Sequence, residues 1–126
     1  MEDLKYFKIS EFDCPSGEAP ASEFMNPDFI KKLNSARHSA GVEFKINSGV
    51  RSPEHNESIG GTENSSHLST TKGGACAADI SAKDSVTRFK ILKALIDHKF
   101  HRIGISDSFI HVDSDLNKSG GVCWLY

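Results

Sequence analysis

The sequence predicts an α+β fold: a small, largely antiparallel sheet flanked by two main helices. Three observations carry this expectation. Two segments have capped, helical apolar periodicity. About five short segments read as strands. Three of those strands follow the second helix, separated only by polar or glycine turns, which favours antiparallel neighbours. A chain of 126 residues suits one domain, spanning 1–126.

The elements follow in chain order. The stretch up to Ser22 has weak periodicity and reads as an irregular arm with short strand-like pieces. "NPDFIKKLNSARHSAG" is a helix: Asn26 caps it, Pro27 suits its first turn and Asp28 favours the positive end of its dipole. Phe29, Ile30, Leu33, Ala36 and Ala40 share one face, and Gly41 ends it. "VEFKINSGV" alternates Val42, Phe44 and Ile46 with polar residues, as a strand does. A polar loop is expected from Arg51 to Ser66, punctuated by Pro53 and Gly60-Gly61. "ACAADISA" reads as a buried strand. "DSVTRFKILKALIDHKF" is the second helix, capped by Asp84 or Ser85, with Val86, Phe89, Leu92, Leu95 and Ile96 as its apolar face. "HRIGIS", "FIHVDS" and "GVCWLY" complete the strands.

Composition narrows the function. Fifteen basic and seventeen acidic residues are scattered along the chain without a basic block, which argues against nucleic-acid binding. No apolar run approaches the roughly 20 residues that span a bilayer, so no membrane role is expected. The charged start "MEDLKYFKIS" lacks the apolar centre of a signal peptide, so synthesis in the cytoplasm is expected. Cys14, Cys76 and Cys123 are far apart and form no CxxC pair, so a cysteine-built zinc site is not expected. Free thiols are the simpler reading, with one disulfide as the alternative.

The candidate chemistry lies in "SSHLSTTKGGACAADI" and "FIHVDSD". His38, His55 and His98 read as solvated or helix-end residues, and His101 as a strand residue able to support a site. His111 sits within an apolar strand, where alternation puts Phe109, His111 and Asp113 on one face and Ile110 and Val112 on the other. Such a pair can hold one ion, or the carboxylate can orient the imidazole. A structural strand histidine is the competing reading. His67, Asp79 and His111 together offer two imidazole nitrogens and a carboxylate oxygen, the three protein ligands of a catalytic zinc site.

These motifs resemble the zinc D-Ala-D-Ala carboxypeptidase family, in the wider group that includes lysostaphin-type peptidases and hedgehog domains. The resemblance rests on Ser48-Gly49-Val50-Arg51-Ser52, Asn56, Gly60-Gly61, Ser65-Ser66-His67, Ala77-Ala78-Asp79-Ile80 and His111-Val112-Asp113. It implies that His67, Asp79 and His111 bind one Zn2+ ion. It implies that Arg51 meets the substrate or the developing oxyanion, a task suited to a permanently charged group with several donors. Ser65 is then expected to hydrogen-bond near the substrate. The implied reaction is hydrolysis of an amide in the peptide stem of bacterial peptidoglycan, either D-Ala-D-Ala or L-Ala-D-Glu as in phage endolysins. A monomer acting on the wall after release, or as a virion component, is expected.

Two departures from the family pattern stand out. His67 and Asp79 are twelve positions apart where relatives keep a shorter interval, and "STTKGG" reads as an insertion. Many relatives also carry an acid three positions before the last ligand histidine, where this chain has Ser108. Asp107 is then the slightly favoured general base and Asp113 its rival. The missing acid also supports an alternative, a zinc-stabilised wall- or protein-binding domain without turnover.

Overall fold

The computed structural model describes residues 4–126. Its sheet contains β1 (Ile46–Ser48), β2 (Ala77–Ser81), β3 (Arg102–Ile105), β4 (Phe109–Asp113) and β5 (Val122–Leu125). Four helices accompany it: α1 (Ala21–Phe24), α2 (Pro27–Ala40), α3 (Pro53–Ser58) and α4 (Ser85–Asp97). The strand order is β1-β2-β4-β3-β5. All pairings are antiparallel except β3 with β5. This is the expected α+β architecture.

The register fixes the functional geometry. Ser48 pairs with Asp79, Asp79 with His111, His111 with Gly104, and Gly104 with Trp124. One row of residues thus crosses all five strands. Alternation sends the intervening residues Ala78, Ile80, Ile103, Ile110 and Val112 into the core. There they join Phe29, Ile30, Leu33 and Ala36 of α2, and Ile91, Ala94 and Leu95 of α4.

The first helix forms as its sequence predicts. Asn26 Oδ1 accepts from the amides of Asp28 at 2.9 Å and Phe29 at 3.2 Å, and Gly41 closes the helix at φ 68°. In α4, Asp84 caps the amide of Thr87 at 2.8 Å. The expected apolar face of α4 needs correction. Leu95 is buried and Leu92 half-buried, but Val86, Phe89 and Ile96 are 65%, 66% and 56% exposed. The packed stripe runs through Ile91, Ala94 and Leu95 against α2. Apolar residues wrap most of this helix, so periodicity alone admitted two stripes.

Three other expectations are corrected. The Arg51–Ser66 segment is not all loop: Ser52 caps α3 by accepting from the His55 amide at 3.1 Å, with Pro53 in the first turn. The Val42–Val50 strand shrinks to the three residues Ile46–Ser48, with a register shift between Ile46 and Ser48. The N-terminal arm contains a 3-10 turn at Ile9–Phe12 and α1 rather than strands, and it buries Phe7 and Phe12. Residues 1–3 of that arm lie outside the described residues.

Gly104 shows why the sheet tolerates no side chain at one point. A Cβ there would lie 2.5 Å from Trp124 Nε1 and 2.8 Å from Tyr126. Glycine inside a strand marks such a close approach. Gly104→Ala is therefore expected to cost about 1–3 kcal/mol by overpacking and to move Trp124. Thermal unfolding together with tryptophan fluorescence checks this; an unshifted melting temperature and spectrum would refute it.

Candidate metal centre

His67, Asp79 and His111 converge from three separate places. Asp79 and His111 are cross-strand partners on β2 and β4. His67 comes from the loop after α3, and its position follows from backbone ties to Arg51. The Arg51 amide donates to His67 O at 2.7 Å, and Arg51 O accepts from Ser69 at 2.8 Å. Ser65 Oγ accepts from the His67 amide at 3.2 Å.

Each imidazole spends one nitrogen on an outward partner. His67 Nδ1 donates to Gly49 O at 2.6 Å, and a carbonyl can only accept, so His67 Nε2 is the free lone-pair nitrogen. His111 Nε2 donates to Asp113 Oδ2 at 2.7 Å, which turns His111 Nδ1 inward. The inward atoms meet: His111 Nδ1 to Asp79 Oδ1 is 2.9 Å, His67 Nε2 to Asp79 Oδ1 is 3.3 Å, and His67 Nε2 to His111 Nδ1 is 3.3 Å. Tetrahedral zinc with bonds of about 2.0–2.1 Å spaces its ligand atoms about 3.3 Å apart. The triangle fits one such ion, and the three residues form a cluster able to hold a metal.

Supporting groups fix the ligands. Asp113, only 1% exposed, also accepts from Arg102 Nε at 2.7 Å and from the Asp115 amide at 3.1 Å. Arg102 continues to Ser119 O at 2.6 Å and lies over the Trp124 ring. That ring also packs on His111, centroid to centroid at 5.5 Å. Ligand histidines generally depend on such a carboxylate to set tautomer and orientation.

Electrostatics follow from this packing. Burial alone would raise the Asp79 carboxyl, but the His111 and His67 imidazoles set against it outweigh burial and hold it well below the usual range. Burial likewise opposes ionisation of Asp113, yet its bond to His111 and nearby charges depress its pKa. Burial favours neutral His111, but Asp113 and Asp79 raise its pKa; for His67 burial prevails and lowers it. Cys76 is pushed up to about 11 by burial and by Asp115 and Asp113, so its thiol stays protonated. The three cysteines are free, Cys123 exposed and the others buried.

A consequence for acid stability is testable. The folded pKa values of Asp79 and Asp113 lie below their unfolded values. Their stabilisation is thus fully present above about pH 4, the unfolded carboxyl range, and is lost as pH falls through the folded values. In metal-free protein, the melting-temperature gap between wild type and Asp113→Asn should shrink as pH drops from 5 to 2. A constant gap would contradict these shifts.

The centre opens onto a cleft of about 370 Å³. Arg51 lines it, with Nε donating to Ser48 Oγ at 3.1 Å, one terminal nitrogen to Asn56 Oδ1 at 3.2 Å and the other 3.5 Å from Asp79 Oδ2. Ser65 and Asp113 also line the cleft. Asp107 does not line it. Its exposed carboxylate accepts from Ser106 and its carbonyl holds Arg88 of α4, because it lies in the turn between β3 and β4.

Sequence reasoning put Phe109 on the His111 face but missed Arg102 and the aromatic residues Trp124 and Tyr126 in the cleft lining. Gly104 within "RIGIS" was the available signal for a ring packed across β3.

Fold and site together define an α+β protein with a His–Asp–His cluster able to hold a metal, lining an open cleft. The Peptidase M15 family matches residues 5–113, well over half of the chain, and the chain belongs to that family. Membership indicates a metallopeptidase, and it bears out the resemblance read from the motifs. The comparison with curated proteins returned no match. β5 and the turn before it lie beyond the matched span. Among the described residues, no helix is long and apolar enough to cross a membrane.

Proposed function

We propose that this chain is a zinc-dependent peptidase that hydrolyses an amide bond in the peptide stem of bacterial peptidoglycan. The carrying observation is the convergence of His67 Nε2, Asp79 Oδ1 and His111 Nδ1 at one point of the cleft, in a Peptidase M15 chain. His67, Asp79 and His111 hold one ion. When bound, zinc polarises a scissile carbonyl and acidifies water near neutral pH.

The chain's own residues supply the rest. Gly49 O and Asp113 keep the two imidazoles in their ligating tautomers. Arg51 offers five donors, of which its described partners use three; the others serve the substrate carbonyl as charge develops on its oxygen. Ser65 contacts substrate from the cleft edge. Phe109, Trp124 and Tyr126 give the cleft an apolar side that excludes water from part of the bound peptide. All three ligands come from one chain, so a monomer suffices. The biological setting we favour is wall lysis by a released or virion-borne phage protein.

The bond is D-Ala-D-Ala or L-Ala-D-Glu. Mass spectrometry of the products of a defined muropeptide decides between them: loss of the terminal D-alanine alone supports the first, and a split between L-alanine and D-glutamate the second. Cleavage at neither bond would reject both.

One observation favours a second reading, a zinc-stabilised binding domain. Among the described cleft residues the carboxylates are Asp79, a ligand, and Asp113, already engaged by His111 and Arg102. Neither is free to take a proton from water. A zinc-loaded protein that binds muropeptides without cutting them would establish that reading.

A further inference from the structure

The lengthened interval between His67 and Asp79 forms part of a second depression. This hollow, of about 270 Å³, is lined by Thr70, Thr71 and Lys72 of that interval and by Glu63 and Asn64. Ser65 and Lys118 line both this hollow and the metal cleft, so the two are neighbours with a shared wall. The interval is firmly moored. Asn26 donates through its backbone to Ala75 O at 2.9 Å and through its side chain to Gly73 O at 3.1 Å, and Ala75 donates to Phe24 O at 2.7 Å. Gly74, at φ 99°, passes so close to Asn26 that a Cβ would lie 2.8 Å from its nitrogen.

Lys118 is held at the junction. Its Nζ donates to Ser66 Oγ at 3.0 Å and stands 3.7 Å from Asp115 Oδ2. Ser66 in turn donates to Asp115 at 2.8 Å, while Asp115 Oδ1 accepts from the Asn117 amide at 3.0 Å. The Asp115 carboxylate is therefore occupied within the turn and buried, whereas the Lys118 side chain remains 24% exposed. An ammonium has three donors, and these partners occupy at most two. Lys72 adds a second cation to the hollow, and its anions are Glu63, an exposed residue, and the buried Asp115 already engaged by Ser66 and Asn117.

We propose that the hollow receives the part of the peptide substrate remote from the scissile bond, and that Lys118 reads a free carboxylate on it. This rests on the peptidase reading above. Within the stem peptide, one group of that chemistry is the branch α-carboxylate of the γ-linked D-glutamate, which occurs either free or as an amide, and it is the one tested.

The test uses zinc-loaded protein and two stem peptides that differ only in carrying that carboxylate or its amide. Wild type is expected to prefer the carboxylate peptide by about tenfold in kcat/KM, as a charge-assisted hydrogen bond allows. Lys118→Gln should abolish that preference, mainly by raising KM for the carboxylate peptide. Lys118→Arg should restore it, and Thr70→Trp, which fills the hollow, should raise KM for both peptides. Equal wild-type rates on the two peptides, or a Lys118→Gln variant that slows both alike, would overturn the proposal. If wild type cuts neither peptide, the peptidase reading fails, and calorimetric binding of the same peptides tests Lys118 by the same ratio.

Discussion

Alanine in place of His111 will leave the protein unable to retain zinc and without peptidase activity. The imidazole contributes Nδ1 to the metal triangle, and it links Asp79 to Asp113 through bonds of 2.9 and 2.7 Å. Its removal takes away one of three protein ligands and leaves both carboxylates short of a partner. The loss of affinity should exceed the roughly 10–100-fold caused by losing an outer-shell partner. Bound zinc should fall from one equivalent to near zero after dialysis. His101→Ala is the control, because His101 is exposed and lies outside the cleft lining. Unchanged zinc in His111→Ala, measured by elemental analysis, would remove the proposed site.

Asp113→Ala is expected to be the most destabilising single change near the centre. Asp113 is 1% exposed and neutralises Arg102, whose side chain is 15% exposed. Removing one member of a buried pair costs about 3–5 kcal/mol because the other charge is left uncompensated. The lower end applies here, since Arg102 keeps some solvent and its bond to Ser119 O. A loss of about 3 kcal/mol corresponds to roughly 10 °C in a chain of this size. Asp113→Asn separates stability from tuning. It keeps the shape of the side chain but weakens the acceptor of the His111 N–H, so zinc affinity should fall about 10–100-fold with a smaller thermal loss. Wild-type affinity in Asp113→Asn would show that the carboxylate is not orienting the ligand.

Much of this arrangement was legible in the sequence because it is local. The caps Asn26 and Asp84 are short-range signals, and both hold. The alternation in "FIHVD" correctly put His111 and Asp113 on the face opposite Ile110 and Val112, since strand periodicity is a property of the backbone. Residue chemistry combined with motif order singled out His67, Asp79 and His111, which the structure brings together as a cluster able to hold a metal. What stayed hidden is non-local. The parallel docking of β5 on β3 brings Trp124 over Gly104 and against His111, and no periodicity within "GVCWLY" encodes that partner. Asp107 looked close to the site in sequence, but it lies in the turn between β3 and β4, where strand alternation no longer applies and its carbonyl accepts from Arg88 of α4. The stripe of α4 was misread because Val86, Phe89 and Ile96 satisfy helical spacing as well as Ile91 and Leu95 do; only packing against α2 selects between them.

The most direct test is a digest of one defined muropeptide by the purified protein, followed by mass spectrometry. Zinc-loaded protein should release a stem-peptide fragment, lose that activity on chelation and regain it when zinc is returned. Stoichiometric zinc in a protein that leaves the muropeptide intact would contradict the account.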